Sequence, residues 1–182
     1  MSSPRRCTTR PIAALLVLLT CTLPPTAPAL DLAGLAALLE RLDVEAIGGA
    51  GQWRAVVGGR AVMVLADPSH GRLRIQAHVT AADALDEALL RRVLEADFAT
   101  ALEARYAIGG TTLWSLYSAD LAALDAAGCA AALGQVANLA ASFGREYASG
   151  LGPDGRPDAS PRGALVTDLV ARAAAATPEQ TP

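Results

Sequence analysis

The sequence contains no lysine, so all fifteen of its basic side chains are arginine. It is poor in aromatic residues, at 4%, and has three cysteines and two histidines among 182 residues. Three cysteines are too few for the disulfide scaffolds on which many small exported domains depend. The net charge is −3 and no run of basic residues occurs, which argues against a nucleic acid or an anionic membrane surface as the partner.

Sequence patterns that carry known chemistry are scarce as well. No Gly-x-Ser-x-Gly elbow occurs. The pairs Gly58-Gly59 and Gly109-Gly110 lie between predicted strands, whereas the glycines of a phosphate loop open a helix. Asp67, Ser69 and His70 share a Pro/Gly turn, where such side chains usually make local hydrogen bonds. The alternative is that these residues belong to a hydrolase in which Ser69 acts. A metal site would combine His70 and His78 with Asp67 and Asp83, but histidines at such positions are usually solvated. We therefore expect no catalytic residue, no cofactor and no metal ligand.

The first 29 residues read as an export signal. Three arginines precede the apolar run 12–19, and the segment ends in Ala27-Pro28-Ala29. A basic head, a short apolar middle and small residues at the exit are typical of a secretory signal peptide. The apolar run is shorter than the roughly 20 residues that a spanning helix requires. We expect cleavage near Ala29 and a periplasmic or secreted protein; a lipoprotein anchored at Cys21 and an uncleaved anchor are the alternatives.

The spacing of apolar residues predicts an α+β domain over residues 30–148, in the order helix, three-stranded antiparallel meander, helix, β-hairpin, helix. The first helix follows Asp31 and ends at the glycine-rich segment 48–51. Gly58-Gly59 predicts a tight hairpin turn, because glycine accepts the positive φ that such a turn requires. The predicted strands are Gln52–Val57, Arg60–Leu65, Arg72–Val79, Arg105–Ile108 and Thr111–Tyr117.

Asp83 is the predicted start of the second helix, and Asp125 that of the third and longest helix. Apolar residues of the second helix lie along two lines, which predicts a helix covered by more than one neighbour. One line is Leu85, Leu89, Val93 and Ala96, and the other is Leu90, Leu94, Phe98 and Leu102. The stripe of the third helix is Cys129, Leu133, Val136, Ala140, Phe143 and Tyr147. Residues 149–182 form a Gly/Pro/Ala-rich tail that we expect to be mostly flexible, with a short helix at 164–176.

The predicted strands leave one face of the sheet with an unusual composition. Alternation in the third strand and the two-residue turn of the first hairpin place Trp53, Ile75 and Leu73 on one buried face. The reverse of the first hairpin carries an apolar strip edged by arginine, and the second hairpin has apolar side chains on both of its faces. The candidate surface for binding a protein or a second copy consists of Val56, Met63, Leu65, Trp114 and Leu116.

Three segments carry a family resemblance. Residues 88–98, ALLRRVLEADF, resemble the second-helix segment of the type III secretion chaperone-like fold, shared with YbjN-like domains, with Asp97 in place of the usual asparagine. Residues 104–114 resemble the hairpin that follows there, and residues 135–140 its final helix. The resemblance covers about residues 31–148. It implies helices packed on one face of an antiparallel sheet, and a non-enzymatic, often dimeric protein that holds a client polypeptide on apolar surface.

We therefore expect an exported, non-enzymatic, chaperone-like protein that binds another protein through an apolar sheet face and forms a homodimer. Chaperones of that family work in the cytosol, whereas residues 1–29 predict export, so a type III effector is not the expected client. No nucleic acid is expected as a partner, and no membrane beyond the signal peptide. The alternative is a periplasmic small-molecule or metal-binding sensor domain, with Trp53, His70, His78 and the arginines as ligand contacts.

Overall fold

A computed structural model describes residues 30–175, in which a six-stranded antiparallel sheet carries four α-helices. The α+β class is confirmed, whereas the predicted export signal 1–29 lies outside the described residues. The helices are α1 (Leu32–Arg41), α2 (Glu87–Ala99), α3 (Ala126–Ser142) and α4 (Pro161–Ala174). The strands are β1 (Glu45–Gly49), β2 (Gln52–Val57), β3 (Arg60–Asp67), β4 (Arg72–Ala81), β5 (Arg105–Gly109) and β6 (Thr112–Asp120). None of the helices described for this range has the length and apolar character that crossing a bilayer requires.

The strand β1 was not predicted, and its presence makes the first meander four-stranded. It pairs antiparallel with β2, with Gly49 opposite Gln52. Ala50 and Gly51 form the two-residue turn between them, both at positive φ, 51° and 89°. The interpretation of the glycines at 48–51 as only a helix end was wrong. Because β1 is short, glycine-rich and mostly exposed, it lacks the alternation by which a strand is detected.

The strand order is β1-β2-β3-β4-β6-β5. The register predicted from the Gly58-Gly59 turn is confirmed, with Trp53 opposite Val64 and Val57 opposite Arg60. The next hairpin pairs Val64 with Ile75, so Trp53, Leu73 and Ile75 share one face, as predicted.

Two predicted helix boundaries were wrong. Asp86, not Asp83, caps α2, and its Oδ1 accepts a hydrogen bond from the Leu89 amide at 2.7 Å. Asp83 instead lies in a short 3-10 turn that precedes the helix. The helix α3 ends at Ser142, so Tyr147, although buried, lies in the segment beyond it.

The centre of the molecule is α3, which contacts β2, β3, β4 and β6 on one side and α4 on the other. It is made largely of alanine and glycine, and twelve of its seventeen residues are buried. Small side chains let the neighbouring elements approach closely. At Gly134 an added Cβ would lie 3.1 Å from a methyl group of Val166 and 3.2 Å from one of Leu169. The closeness of α4 to α3 therefore depends on a glycine at this position.

The helix α4 begins at Pro161, three residues before the helix that the sequence suggests at 164–176, and packs onto the body through Val166, Leu169 and Ala173. Two arginines join its end to the end of α1. Arg41 donates from Nη1 to the carbonyl oxygen of Ala173 at 3.1 Å, and Arg172 donates from Nη1 to that of Leu42 at 3.0 Å. Each arginine thus satisfies a carbonyl group at the C-terminal end of the other helix.

We expect Gly163→Ala to lower the free energy of unfolding by about 2 kcal/mol or more, because overpacked positions cost this much. An added Cβ at Gly163 would lie 2.0 Å from the carbonyl oxygen of Asp158, which is backbone and cannot rotate away. Denaturant unfolding followed by circular dichroism measures the change. Gly49→Ala is the matched control, since nothing lies within 4 Å of its added Cβ. Equal stability of the two variants would contradict the close approach of the Asp158 backbone to the first turn of α4.

Candidate functional site

The sheet has one face that no helix covers within residues 30–175. Every buried side chain of β2, β3, β4 and β6 points to the face on which α3 packs. On the other face, here called the open face, no side chain is buried. Alternate residues of the strands form it, namely Glu45, Ile47, Gln52, Arg54, Val56, Ala61, Met63, Leu65, Asp67, Arg72, Arg74, Gln76, His78, Arg105, Ala107, Trp114, Leu116, Ser118 and Asp120.

All five candidate surface residues lie on the open face, in two groups. Val56, Met63 and Leu65, here called the first ridge, are neighbours on β2 and β3. Trp114 and Leu116, the second ridge, are on β6. Val56 is 41% exposed and the other four are partly buried. Because β4 separates β3 from β6, the ridges are about 10 Å apart. The structure therefore does not join the five residues into one continuous strip.

An arginine flanks each apolar ridge of the open face on the side away from β4. One row of directly paired residues crosses all six strands and reads Ile47, Arg54, Met63, Gln76, Leu116, Arg105. Gln76 lies between the two apolar residues Met63 and Leu116, an arginine lies outside each of these, and Ile47 on β1 lies beyond Arg54. This order could not be predicted, because the sequence alone does not place β6 next to β4.

At one end of the open face lies an open depression of about 890 Å³, bordered by Leu65, Arg74 and the turn between β3 and β4. In that turn Asp67 Oδ1 accepts hydrogen bonds from the hydroxyl and amide of Ser69, and Asp67 Oδ2 lies 2.7 Å from His70 Nδ1. The bonds from Ser69 and His70 lower the pKa of Asp67 to about 2. All three side chains are within four residues of one another in an exposed turn. Their hydrogen bonds hold the turn in shape, which is the local role expected for this sequence.

The residues of the sensor alternative do not come together. Trp53 is 7% exposed and belongs to the core, so it is not available to a ligand. His70 and His78 lie near opposite ends of β4. The ring of His78 packs edge-to-face against that of Trp114, with 6.0 Å between the two ring centroids. Across residues 30–175 no three histidine, cysteine or acidic side chains are grouped closely enough to hold a metal ion. Burial raises the pKa of the Cys129 thiol to about 12, which keeps it protonated in the core.

A second apolar surface lies on α2. The inner line of this helix is confirmed, because Val93 and Ala96 are buried. The outer line was expected to be covered too, and for the described part of the chain this was wrong. Leu90, Leu94 and Phe98, here called the α2 stripe, are 37%, 63% and 91% exposed. Its apolar spacing was visible in the sequence, but its exposure depends on which neighbours the fold brings to the helix.

The outer edge of β5 is occupied by α2. Asp97 on this helix accepts a hydrogen bond from the Tyr106 amide at 2.8 Å. Partial burial raises the pKa of Asp97, although this bond acts in the opposite direction. An asparagine at this position would also offer an oxygen to this amide.

Neither protein-family models nor curated protein sequences produce a match to this chain.

Proposed function

We propose that the protein is a non-enzymatic, chaperone-like protein that binds a segment of another polypeptide on its open face. The observation that carries this proposal is the pair of apolar ridges on a sheet face that no helix among residues 30–175 covers. Apolar surface left in water costs about 25 cal/mol per Å². A bound polypeptide would remove that cost, and exposed apolar patches commonly mark such interaction sites.

The site of action in this proposal is outside the cytoplasm. It is supported by the basic head, apolar run and small-residue exit within residues 1–29. The client is accordingly another exported protein, and a type III effector is not proposed.

The proposal includes a homodimer formed through the α2 stripe. Phe98 and Leu94 are the most exposed side chains of this line, and a second copy of the helix would cover them. In an antiparallel pair centred on Leu94, Leu90 of each copy would face Phe98 of the other. The same arrangement brings Arg91 of each copy beside Glu95 of the other, so the charges flanking the stripe are complementary.

For client binding, we expect Met63→Glu to weaken the interaction severalfold while the fold is retained, because Met63 is only partly buried. The assay is light scattering from a chemically unfolded reporter protein diluted into buffer with the purified protein. Ala164→Glu, at an exposed position on α4, is the control. We expect the free energy of unfolding to change by less than about 1 kcal/mol in both variants. Equal suppression of aggregation by the two variants would contradict binding at the open face.

For dimerisation, we expect Arg91→Glu and Glu95→Arg each to weaken self-association by roughly tenfold, because each variant creates two like-charge contacts across the pair. An equimolar mixture of the two variants should associate again, since each copy then meets the opposite charge. Sedimentation equilibrium of each variant and of the mixture measures this.

Helical circular dichroism of the separate variants provides the control, because Arg91 and Glu95 are also neighbours within one helix. If the mixture of Arg91→Glu and Glu95→Arg associates no more strongly than either variant alone, the antiparallel pairing is ruled out. A wild-type protein that is a strict monomer and is unchanged by Leu94→Glu would rule out the α2 interface altogether.

A further inference from the structure

We propose that the segment bound on the open face is an amphipathic helix whose apolar stripe is flanked on both sides by acidic side chains. This inference rests on the proposed function, since it names the chemistry of the client. It starts from the row Arg54, Met63, Gln76, Leu116, Arg105, which is direct strand-to-strand pairing throughout.

The charge of the open face differs from that of the rest of the chain. Its strands carry Arg54, Arg72, Arg74 and Arg105, and none of these four arginines forms an ion pair within residues 30–175. Two of the nearby acids are engaged locally. Asp67 is held by Ser69 and His70, and Asp120 accepts a hydrogen bond from the Ala122 amide at 2.9 Å. Glu45 on β1 is a third acid of this face, opposite Val56, and it forms no ion pair within residues 30–175. In a chain of net charge −3, the open face therefore carries four arginines against three acids, and two of those acids are engaged locally.

This charge opposes a second copy of the same face as the occupant. Face-to-face stacking would bring the rows that contain Arg54, Arg74 and Arg105 against each other. Like charges placed opposite one another across an interface are repulsive and select against the wrong partner. The partner has to supply carboxylates, and the α2 stripe remains the separate surface for self-association.

The spacing of the row fits a helix that lies along β4. The two ridges are about 10 Å apart, which equals the diameter of an α-helix with its side chains. An extended strand is about 4.8 Å wide and would cover only one ridge at a time. Arg54 on β2 and Arg105 on β5 are about 19 Å apart, four strand spacings, and lie on opposite sides of such a helix.

Each part of the row then has a counterpart on the ligand. Met63 and Leu116 contact the apolar stripe, and Gln76 lies under the helix axis between them. The guanidinium groups of Arg54 and Arg105 bind carboxylates on the two flanks of the ligand helix. The paired N–H donors of a guanidinium group match the two oxygens of a carboxylate.

The experiment uses labelled helical peptides of about 18 residues, five turns, that share one apolar stripe. Their flanks are all Glu, all Gln or all Lys, and a fourth peptide has the Glu composition in scrambled order. Fluorescence anisotropy with the purified full chain gives the dissociation constants at low and high salt. We expect the Glu peptide to bind about tenfold more tightly than the Gln peptide and the Lys peptide most weakly, with the differences reduced by salt.

The variant Arg54→Glu/Arg105→Glu should lose about tenfold or more in affinity for the Glu peptide and should prefer the Lys peptide. Arg60→Glu is the matched control, because Arg60 is exposed on the same hairpin but pairs with buried Val57 and so belongs to the other face. Thermal unfolding of both variants shows whether the fold is kept. If the double variant is unstable, Arg54→Gln/Arg105→Gln tests the same loss of affinity.

The outcomes separate this inference from the function on which it rests. If none of the peptides binds and unfolded reporter protein is not held either, the proposed function fails. If all three striped peptides bind equally, the function stands and the acidic client is overturned. Equal binding of the scrambled peptide, which lacks the stripe, would also overturn it. A change in the mass of the peptide-free protein caused by Arg54→Glu/Arg105→Glu would show that a second copy occupies the open face, against the inference.

Discussion

The structure depends on the burial of α3 from both sides. A helix rich in alanine can lie close to a sheet on one side and to α4 on the other, so that its burial extends beyond a single apolar stripe. The polar residues of this helix bind the loops around it. The Asn138 amide nitrogen donates to the carbonyl oxygens of Ser149 and Arg162, both at 2.9 Å, and Gln135 donates to Glu103 at 3.0 Å. The helix is thus both the core and the anchor of the connecting segments.

The same constraint explains why one sheet face is left open. The helices α1 and α4 pack around α3, and α2 lies beside β5, so no helix of residues 30–175 is available for the reverse of the sheet. The polar β4 row and the flanking arginines make this face tolerable in water, while the ridges keep it suited to a partner. The face therefore combines apolar contact area, from the ridges, with solubility, from the polar and charged residues. A reversible binding surface needs both.

Much of the sheet could be predicted because its information is local. The Gly58-Gly59 turn fixes which residues face each other, and alternation in β4 then separates the two faces. The strand β1 could not be predicted, since its edge position leaves no alternation to detect. Helix patterns likewise showed that Leu94 and Phe98 are apolar but not that they are exposed, which depends on long-range packing. The candidate surface residues could be named from the sequence, whereas their division into two ridges follows from the position of β6.

The occupation of the β5 edge by α2 and Asp97 makes the sheet asymmetric at its rims. Within the described residues, β1 at the opposite rim has no comparable cover, and Ile47 on it is 70% exposed. Pairing of another strand with β5 would have to displace Asp97 from the Tyr106 amide, whereas pairing with β1 would displace nothing comparable. The two rims of one sheet are thus unequal as sites for strand addition, and β1 is the more accessible of the two.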